Sequence, residues 1–74
     1  MKITVSLHGV FRLGRFKLET LDYPAGSSAQ KIIDDLQIPD KLLGTILING
    51  VHAKLTDILH AGDTLMILPL LEGG

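Results

Sequence analysis

Hydrophobic and polar residues alternate strictly at the start of the chain. Ile3, Val5 and Leu7 share one parity, and polar residues stand between them. This period of two is typical of a strand with one buried face, so we predict a strand over residues 2–8. Glycines at positions 9 and 14 bracket the loop that follows, and they indicate that the chain turns back there as a hairpin.

The return strand of this hairpin is predicted over residues 15–23. Its hydrophobic residues change parity in the middle of the run: Phe16 and Leu18 come first, Leu21 and Tyr23 second. One extra residue in the strand would bring both pairs onto the same face. We therefore predict a bulge near Glu19 or Thr20.

A helix is predicted after the second strand. Its hydrophobic residues recur at i, i+3, i+4 and i+7 and form one apolar stripe: Ala29, Ile32, Ile33 and Leu36. Ser27 and Ser28 are both candidate N-caps, and Ser27 with Gln30 has the spacing of a capping box. Pro39 disfavours helical geometry at Ile38, so the helix is expected to end near there.

Three short strands are predicted in the second half of the chain, over residues 45–48, 51–53 and 64–70. Asn49-Gly50 is the strongest turn signal and is typical of a two-residue hairpin. An irregular connection over residues 54–60, with a helical turn at 57–59, leads to a Gly62-Asp63 turn. Pro69 has no amide hydrogen, so it is expected near the end of its strand or at a bulge.

The predicted order is ββαβββ within 74 residues, a length that fits one domain. It predicts an α+β fold, a mixed sheet of four to five strands with one helix across one face. This is the β-grasp arrangement of ubiquitin-like domains. We expect residues 1–70 to form the domain and residues 71–74 to form a C-terminal tail.

Composition excludes several classes of function. The chain has no cysteine, which excludes disulfides, thiolate metal sites and a cysteine nucleophile. Its formal net charge is −1, and no segment approaches the roughly 20 apolar residues of a membrane span, so neither nucleic acid nor a membrane is an expected partner. The N-terminus lacks the pattern of a signal peptide, and we expect a cytoplasmic protein. Arg12, Arg15 and Lys17 are interpreted as solvated charges.

The side chains do not suggest a catalytic or metal site. His8, His52 and His60 share neither a helical face nor ligand spacing, so no metal is expected. Asp34 and Asp35 fall on the polar side of the predicted helix, which favours a solvated face over acid–base chemistry. The sequence therefore indicates a protein that is not itself an enzyme and binds no cofactor.

The tail carries the remaining candidate chemistry. Its glycines contribute nothing to packing, which fits either a frayed terminus or a chain end that threads into a narrow cleft. Its four residues, Leu71, Glu72, Gly73 and Gly74, reach about 13–14 Å when extended. A terminal carboxylate has a pKa of about 3.3–3.7, so it is an anion at neutral pH and a poor electrophile. It becomes reactive only when another protein activates it, for instance as an acyl-adenylate from which a sulfur donor displaces AMP.

Residues 46–74 resemble the C-terminal half of the MoaD/ThiS sulfur carriers. The matching features are Ile48-Asn49-Gly50 at a strand end, the Gly62-Asp63 turn, the apolar strand over 64–69 and the final Gly73-Gly74. The resemblance implies that an E1-like enzyme uses ATP to adenylate Gly74, and that a sulfurtransferase supplies the sulfur for a Gly74 thiocarboxylate. The protein would then be a carrier, with Leu71, Glu72 and Gly73 as the tail of its site.

The resemblance also implies that the exposed sheet face docks the activating enzyme. Alternation along the last strand places Met66 and Leu68 on that face. Leu47 joins them if its neighbours Ile46 and Ile48 face the core. Leu47, Met66 and Leu68 are therefore the predicted docking patch.

The loop at 9–14 and the position of Pro69 look more like the molybdopterin synthase carriers than the shorter thiazole carriers. The molybdopterin synthase carriers often have Phe-Pro-Pro before the tail, which Leu68-Pro69-Leu70 matches only in part. The first hypothesis is therefore sulfur delivery for molybdopterin, in a molybdenum or tungsten cofactor, with the large subunit of molybdopterin synthase as a partner. Three alternatives stay open: sulfur delivery for the thiazole of thiamine, a protein modifier joined through Gly74 to a lysine, and a binding module with an inert tail.

Overall fold

A computed structural model describes residues 1–70 as a five-stranded sheet with a helix across one face. The main elements are β1 (Lys2–Leu7), β2 (Leu18–Asp22), α1 (Ala29–Asp35), β3 (Leu43–Ile48), β4 (Val51–His52) and β5 (Thr64–Pro69). Two short 3₁₀ helices, Gly9–Arg12 and Asp40–Leu42, follow β1 and precede β3. The strand order is β2-β1-β5-β3-β4, with β1 and β5 parallel and the other pairs antiparallel. The predicted ββαβββ order and mixed sheet are confirmed.

The core lies between the inner face of the sheet and α1. Alternate residues of the central strands are fully buried there, including Val5, Leu65 and Ile67. Ile32 and Ile33 of α1 belong to the same cluster, as the period of the helix predicts. Burial of each large aliphatic side chain contributes about 1.5–3 kcal/mol, which is the main favourable term for so small a domain.

The β1–β2 hairpin differs from the prediction in its second strand. The register of the two strands is uninterrupted along the whole ladder, so the bulge predicted near Glu19 or Thr20 is wrong. Phe16 lies before β2 and packs against the core from the loop. Leu18 stands on the outer face of the sheet. The change of parity in the sequence therefore marks the start of the strand and not an extra residue.

The loop after β1 takes part in the core. Its 3₁₀ helix buries Phe11, which the sequence pattern did not single out. Arg12 and Arg15 are exposed, as interpreted, but their side chains also hold the loop in place. Arg12 donates Nε to the Leu7 carbonyl at 2.8 Å. Arg15 donates at 3.0–3.3 Å to three carbonyl groups, those of Phe11, Leu36 and Gln37.

The N-terminus of α1 is capped by Ser28 and by the connection between β4 and β5. Ser28 Oγ accepts an amide of the first turn at 3.3 Å, whereas Ser27 Oγ donates to the preceding loop, so the predicted capping box at Ser27 does not form. The predicted helical turn at residues 57–59 is also wrong. The connection is irregular there because the carbonyls of Leu55 and Asp57 accept the first two amides of the helix, at 2.9 and 3.0 Å.

The C-terminus of α1 comes earlier than predicted. The helix ends at Asp35, and not near Ile38, because Gln37 adopts a left-handed φ of 57°. The amides of Gln37 and Ile38 then bond to the carbonyls of Asp34 and Ile33, which is a Schellman cap formed without glycine. No helix within residues 1–70 is long and apolar enough to cross a membrane.

Candidate functional site

The strand that leads to the C-terminal tail is the central strand of the sheet. β5 pairs with β1 on one side and with β3 on the other. Leu70, the last residue described, donates its amide to the Leu42 carbonyl at 2.7 Å. The predicted tail residues Leu71, Glu72, Gly73 and Gly74 lie outside the described residues. The end of β5 is therefore tied, at Leu70, to the short 3₁₀ helix that precedes β3.

A bulge in β3 shapes this tail root, by which we mean Pro69 and Leu70. The β3–β5 register shifts between Leu43 and Thr45, and Gly44 is the extra residue. A Cβ at Gly44 would lie 2.6 Å from the Pro69 carbonyl oxygen and 2.9 Å from the Leu70 amide nitrogen. Glycine is required for such a close approach of two backbones. Pro69 is the last residue of β5 and stands at the bulge, as its missing amide hydrogen predicts.

The predicted docking patch lies on the sheet face opposite the helix. Its residues Leu47, Met66 and Leu68 are half-buried, whereas Ile46, Leu65 and Ile67, which alternate with them, are buried in the core. Met66 pairs with Leu47 in the β3–β5 ladder, so their side chains are direct neighbours on this face. The predicted orientation of all three patch residues is confirmed. Their role in docking stays a prediction.

A row of side chains crosses the outer face at Met66. The strand registers place five residues side by side across the five strands, in the order Leu18, Ser6, Met66, Leu47 and His52. Leu18 is 63% exposed and adds an apolar side chain to this face, separated from Met66 by Ser6. The sequence analysis missed Leu18 because the predicted bulge assigned it to the wrong face. Ser6 Oγ and His8 Nε2, 3.0 Å apart, add a polar pair beside the patch.

The Asn-Gly and Gly-Asp turns form one hydrogen-bonded unit. Asn49 donates Nδ2 to the Asp63 carboxylate at 2.9 Å and accepts the Thr64 amide on Oδ1 at 2.9 Å. The other Asp63 oxygen accepts the His60 amide at 2.8 Å. The bond from the His60 backbone, and then the bond from Asn49, lower the pKa of Asp63 from its ordinary value. Asp63 is thus a structural turn residue, as predicted, and this unit fixes β5 against β3 at the end away from the tail.

Several other titratable side chains among residues 1–70 have hydrogen-bond partners within the domain. Within residues 1–70, no group of three or more His, Asp or Glu side chains could hold a metal ion. Asp34 accepts the side-chain amide of Gln30 at 2.7 Å, and Asp35 accepts the Tyr23 hydroxyl at 2.9 Å. Burial, and then the hydrogen bond to Asp35, raise the pKa of Tyr23 well above its ordinary value. Asp34, Asp35 and Tyr23 thus each have a hydrogen-bond partner within the domain.

Comparison with known proteins identifies the fold. No protein-family model and no curated protein matches the chain. SAMP1 from Haloferax volcanii, a small archaeal modifier protein, is similar with a TM-score of 0.78 at 20% identity over 100% of both chains. A putative molybdopterin converting factor subunit 1 from Pyrococcus furiosus has a TM-score of 0.78 at 20% identity over 96% of this chain and 99% of its own. A chain in the complex of subunits 1 and 2 of the molybdopterin-converting factor from Helicobacter pylori 26695 has a TM-score of 0.67 at 18% identity over 100% of both.

The chain therefore has the ubiquitin-like β-grasp fold, which confirms the predicted fold class. Identities of 18–20% establish the fold alone. On this fold, the described residues combine an apolar patch on the outer face with a root that is bonded to the segment before β3.

Proposed function

We propose that the protein is a sulfur carrier whose working group is the Gly74 carboxylate. The observation that supports this most directly is that the central strand of a β-grasp sheet leads toward the Gly-Gly tail. The root of the tail packs closely against the backbone of Gly44 and is bonded to Leu42, and an apolar face lies beside it. Among the similar structures are a protein described as a putative molybdopterin converting factor subunit 1 and a complex of subunits 1 and 2 of a molybdopterin-converting factor. We therefore propose that the carrier delivers sulfur for molybdopterin synthesis, with the large subunit of molybdopterin synthase as its partner.

The chemistry requires a second protein to activate the carboxylate. An E1-like enzyme binds ATP, and one Gly74 carboxylate oxygen attacks the α-phosphorus, which releases pyrophosphate and gives an acyl-adenylate. Hydrosulfide, supplied through a sulfurtransferase, then attacks the acyl carbon. The C–S bond forms as the C–O bond to AMP breaks, and AMP leaves with that oxygen and the electron pair. The product is a thiocarboxylate, and the carrier contributes binding and presentation but no acid, base or metal.

Binding to the activating enzyme is assigned to the patch of Leu47, Met66 and Leu68. These side chains are adjacent across β3 and β5, and β5 continues directly into the tail root. A partner that covers the patch is therefore aligned with the direction of the tail. Desolvation of a clustered apolar patch is the usual source of affinity at such interfaces.

Intact mass spectrometry tests the carrier function. The purified chain is first confirmed to end at Gly74, and it is then incubated with an E1-like enzyme, magnesium ATP and sulfide. We expect the mass to change by one sulfur in place of one oxygen, and the change to be absent from a chain that lacks Gly74. An unchanged mass, with an activating enzyme that is active on another carrier, would argue against the function.

Leu68→Asp tests the docking patch. A buried charge at the interface should raise the KM for the carrier in the adenylation reaction without loss of the circular-dichroism spectrum. Thr20→Asp is the matched control, because Thr20 is exposed on the same sheet face but lies in β2, outside the patch. If Leu68→Asp unfolds the domain, or if both variants react like the wild type, the patch is not the docking site.

A protein modifier is the second candidate, and the similarity to SAMP1, a small archaeal modifier protein, favours it. Both functions begin with adenylation of Gly74 and differ in what attacks afterwards. In the modifier, a lysine amine replaces the hydrosulfide and forms an isopeptide bond. If the protein is a sulfur carrier, incubation of its thiocarboxylate form with the synthase large subunit and a pterin precursor should convert the Gly74 thiocarboxylate back to a carboxylate. If it is a modifier, proteins digested after conjugation should carry Gly-Gly remnants on their lysines.

A further inference from the structure

The turn between β3 and β4 contains a pair of residues that can react with each other. Asn49 is the one asparagine of the chain, and Gly50 follows it. In such a pair the amide nitrogen of the glycine can attack the side-chain carbonyl carbon of the asparagine, because glycine has no Cβ to shield it. Both residues are exposed, and a Cβ at Gly50 would meet no other atom within 4 Å. Base and water therefore have access to both reacting groups.

The folded structure holds Asn49 away from this reaction. Its Nδ2 donates to the Asp63 carboxylate and its Oδ1 accepts the Thr64 amide, both at 2.9 Å, so each end of the side-chain amide is held beside the start of β5. The positive φ values of Asn49 and Gly50, 52° and 82°, are typical of a type I′ turn, which fixes the backbone between them. The side chain must release Asp63 and Thr64 before its carbonyl carbon can approach the Gly50 nitrogen.

We infer that Asn49 is a site of spontaneous deamidation, which the hydrogen bonds to Asp63 and Thr64 keep slow in the folded protein. When these bonds open, the Gly50 nitrogen bonds to Asn49 Cγ and loses its proton. The bond from Cγ to Nδ2 breaks, and ammonia leaves with that proton. The product is a succinimide ring. Water then adds to either carbonyl carbon of the ring and opens it, which gives aspartate or isoaspartate at position 49.

The reaction would destroy the contacts that delay it. Aspartate at position 49 has no N–H to donate, so two carboxylates would face each other where a bond of 2.9 Å now joins an amide to Asp63. Isoaspartate lengthens the backbone of the turn by one methylene group and disturbs the pairing of Ile48 with Val51. Either product weakens the contact between the end of β3 and the start of β5, and refolding cannot restore it.

Intact mass spectrometry of the full chain, incubated for days at mildly alkaline pH, tests the inference. Deamidation replaces NH by O, and neither Gln30 nor Gln37 precedes a glycine, so the mass change is assigned to position 49 and is checked by peptide mapping. We expect the chain unfolded in guanidinium chloride to deamidate at least about tenfold faster than the folded chain, because opening of the turn must precede attack.

Asp63→Ala and Asp57→Ala form the matched pair of variants. Asp63→Ala removes the acceptor of Asn49 Nδ2, whereas Asp57→Ala removes a neighbouring carboxylate that accepts the Lys54 amide at 2.9 Å. We expect folded Asp63→Ala to deamidate about three- to tenfold faster than the wild type, and folded Asp57→Ala to stay near it. In guanidinium chloride both variants and the wild type should react at one rate, because the Asn-Gly sequence is the same in all three.

A correction for global unfolding completes the test. Asp63 also accepts the His60 amide at 2.8 Å, so Asp63→Ala lowers the free energy of unfolding as well. Denaturant unfolding gives the unfolded fraction of each variant, and the rate due to that fraction is subtracted. If Asp63→Ala does not fold, the comparison of folded with unfolded wild type decides alone. The inference is overturned if the unfolded chain does not react, if the folded wild type reacts as fast as the unfolded one, or if folded Asp63→Ala keeps the rate of the wild type or of Asp57→Ala.

Discussion

Gly44→Ala should loosen the tail root by forcing β3 away from β5. The new Cβ would lie 2.6 Å from the Pro69 carbonyl oxygen, 2.8 Å from the Pro69 carbonyl carbon and 2.9 Å from the Leu70 amide nitrogen. All three are backbone atoms, two in Pro69 at the end of β5 and one in Leu70, the residue that follows. No rotation of a side chain can relieve the contact, so the strands themselves must separate.

The expected loss of stability follows from two terms. Overpacking of this kind costs about 1–3 kcal/mol. Loss of the adjacent bond from the Leu70 amide to the Leu42 carbonyl adds about 0.5–1.5 kcal/mol. The sum, about 1.5–4.5 kcal/mol, is a large fraction of the roughly 4–11 kcal/mol expected for a domain of this length. It corresponds to a decrease in Tm of about 6–36 °C.

Urea unfolding gives the free energy, and amide hydrogen exchange gives the location. In Gly44→Ala the Leu70 amide should lose protection, whereas the Leu7 amide, bonded to the Lys17 carbonyl at 2.9 Å in the hairpin, should keep it. Gly26→Ala is the control: Gly26 has a φ of 89° and open space around it, so alanine there costs about 1–2 kcal/mol from backbone strain alone. A loss below about 1 kcal/mol in Gly44→Ala, or a Leu70 amide that stays protected, would refute the reasoning.

Two further predictions concern groups that the sequence did not mark as structural. Arg15→Ala should lower the free energy of unfolding in urea by about 1–3 kcal/mol, because it removes the donors to the carbonyls of Phe11, Leu36 and Gln37. Arg15→Lys should restore little of this stability, since an ammonium cannot bridge three separate carbonyls. Full recovery of stability in Arg15→Lys would contradict this explanation. Tyr23 keeps its phenolic proton more tightly in the folded state, so its contribution to stability is complete below about pH 10 and is lost as the pH rises toward the raised pKa. The difference in unfolding free energy between the wild type and Tyr23→Phe should therefore shrink above that pH, and a difference that stays constant or grows would show that the proton is not held.

Local periodicity was enough to predict the order of the elements and the orientation of the docking patch. The alternation in β1, β3 and β5 places Val5, Ile46 and Ile67 inside and Met66 outside, because a strand turns every second side chain to the same face. The hairpin turn at Asn49-Gly50 also follows from local chemistry, since both residues adopt a positive φ there.

The misplaced features depend on partners distant in the sequence. The C-terminal cap of α1 at Gln37 contains no glycine, so the sequence shows no local signal for it. Its carbonyl accepts a hydrogen bond from Arg15, which lies 22 residues away in the sequence. Phe11 is buried because a 3₁₀ helix turns it into the core, and no period of two or 3.6 marks so short an element. The bulge of the sheet lies at Gly44 in β3 and not in β2. The sequence signal for this bulge is the single glycine in front of a run of β-branched and apolar residues.

The candidate site also has a part that local periodicity predicts and a part that it does not. The side-chain directions of Leu47, Met66 and Leu68 follow from strand geometry, whereas the outward position of Leu18 emerges only once the register of the hairpin is known. The proposed role of Gly74 rests on the chemistry of a terminal carboxylate and on the resemblance of the sequence, and intact mass spectrometry after incubation with an activating enzyme tests it.

The parallel pairing of β1 with β5 has a mechanical consequence. Because the two strands point the same way, a force that pulls residue 1 and residue 70 apart draws them in opposite directions along their length. The hydrogen bonds of that ladder are then loaded together and in shear. A domain pulled by its C-terminal end into a narrow pore would resist at this pair of strands.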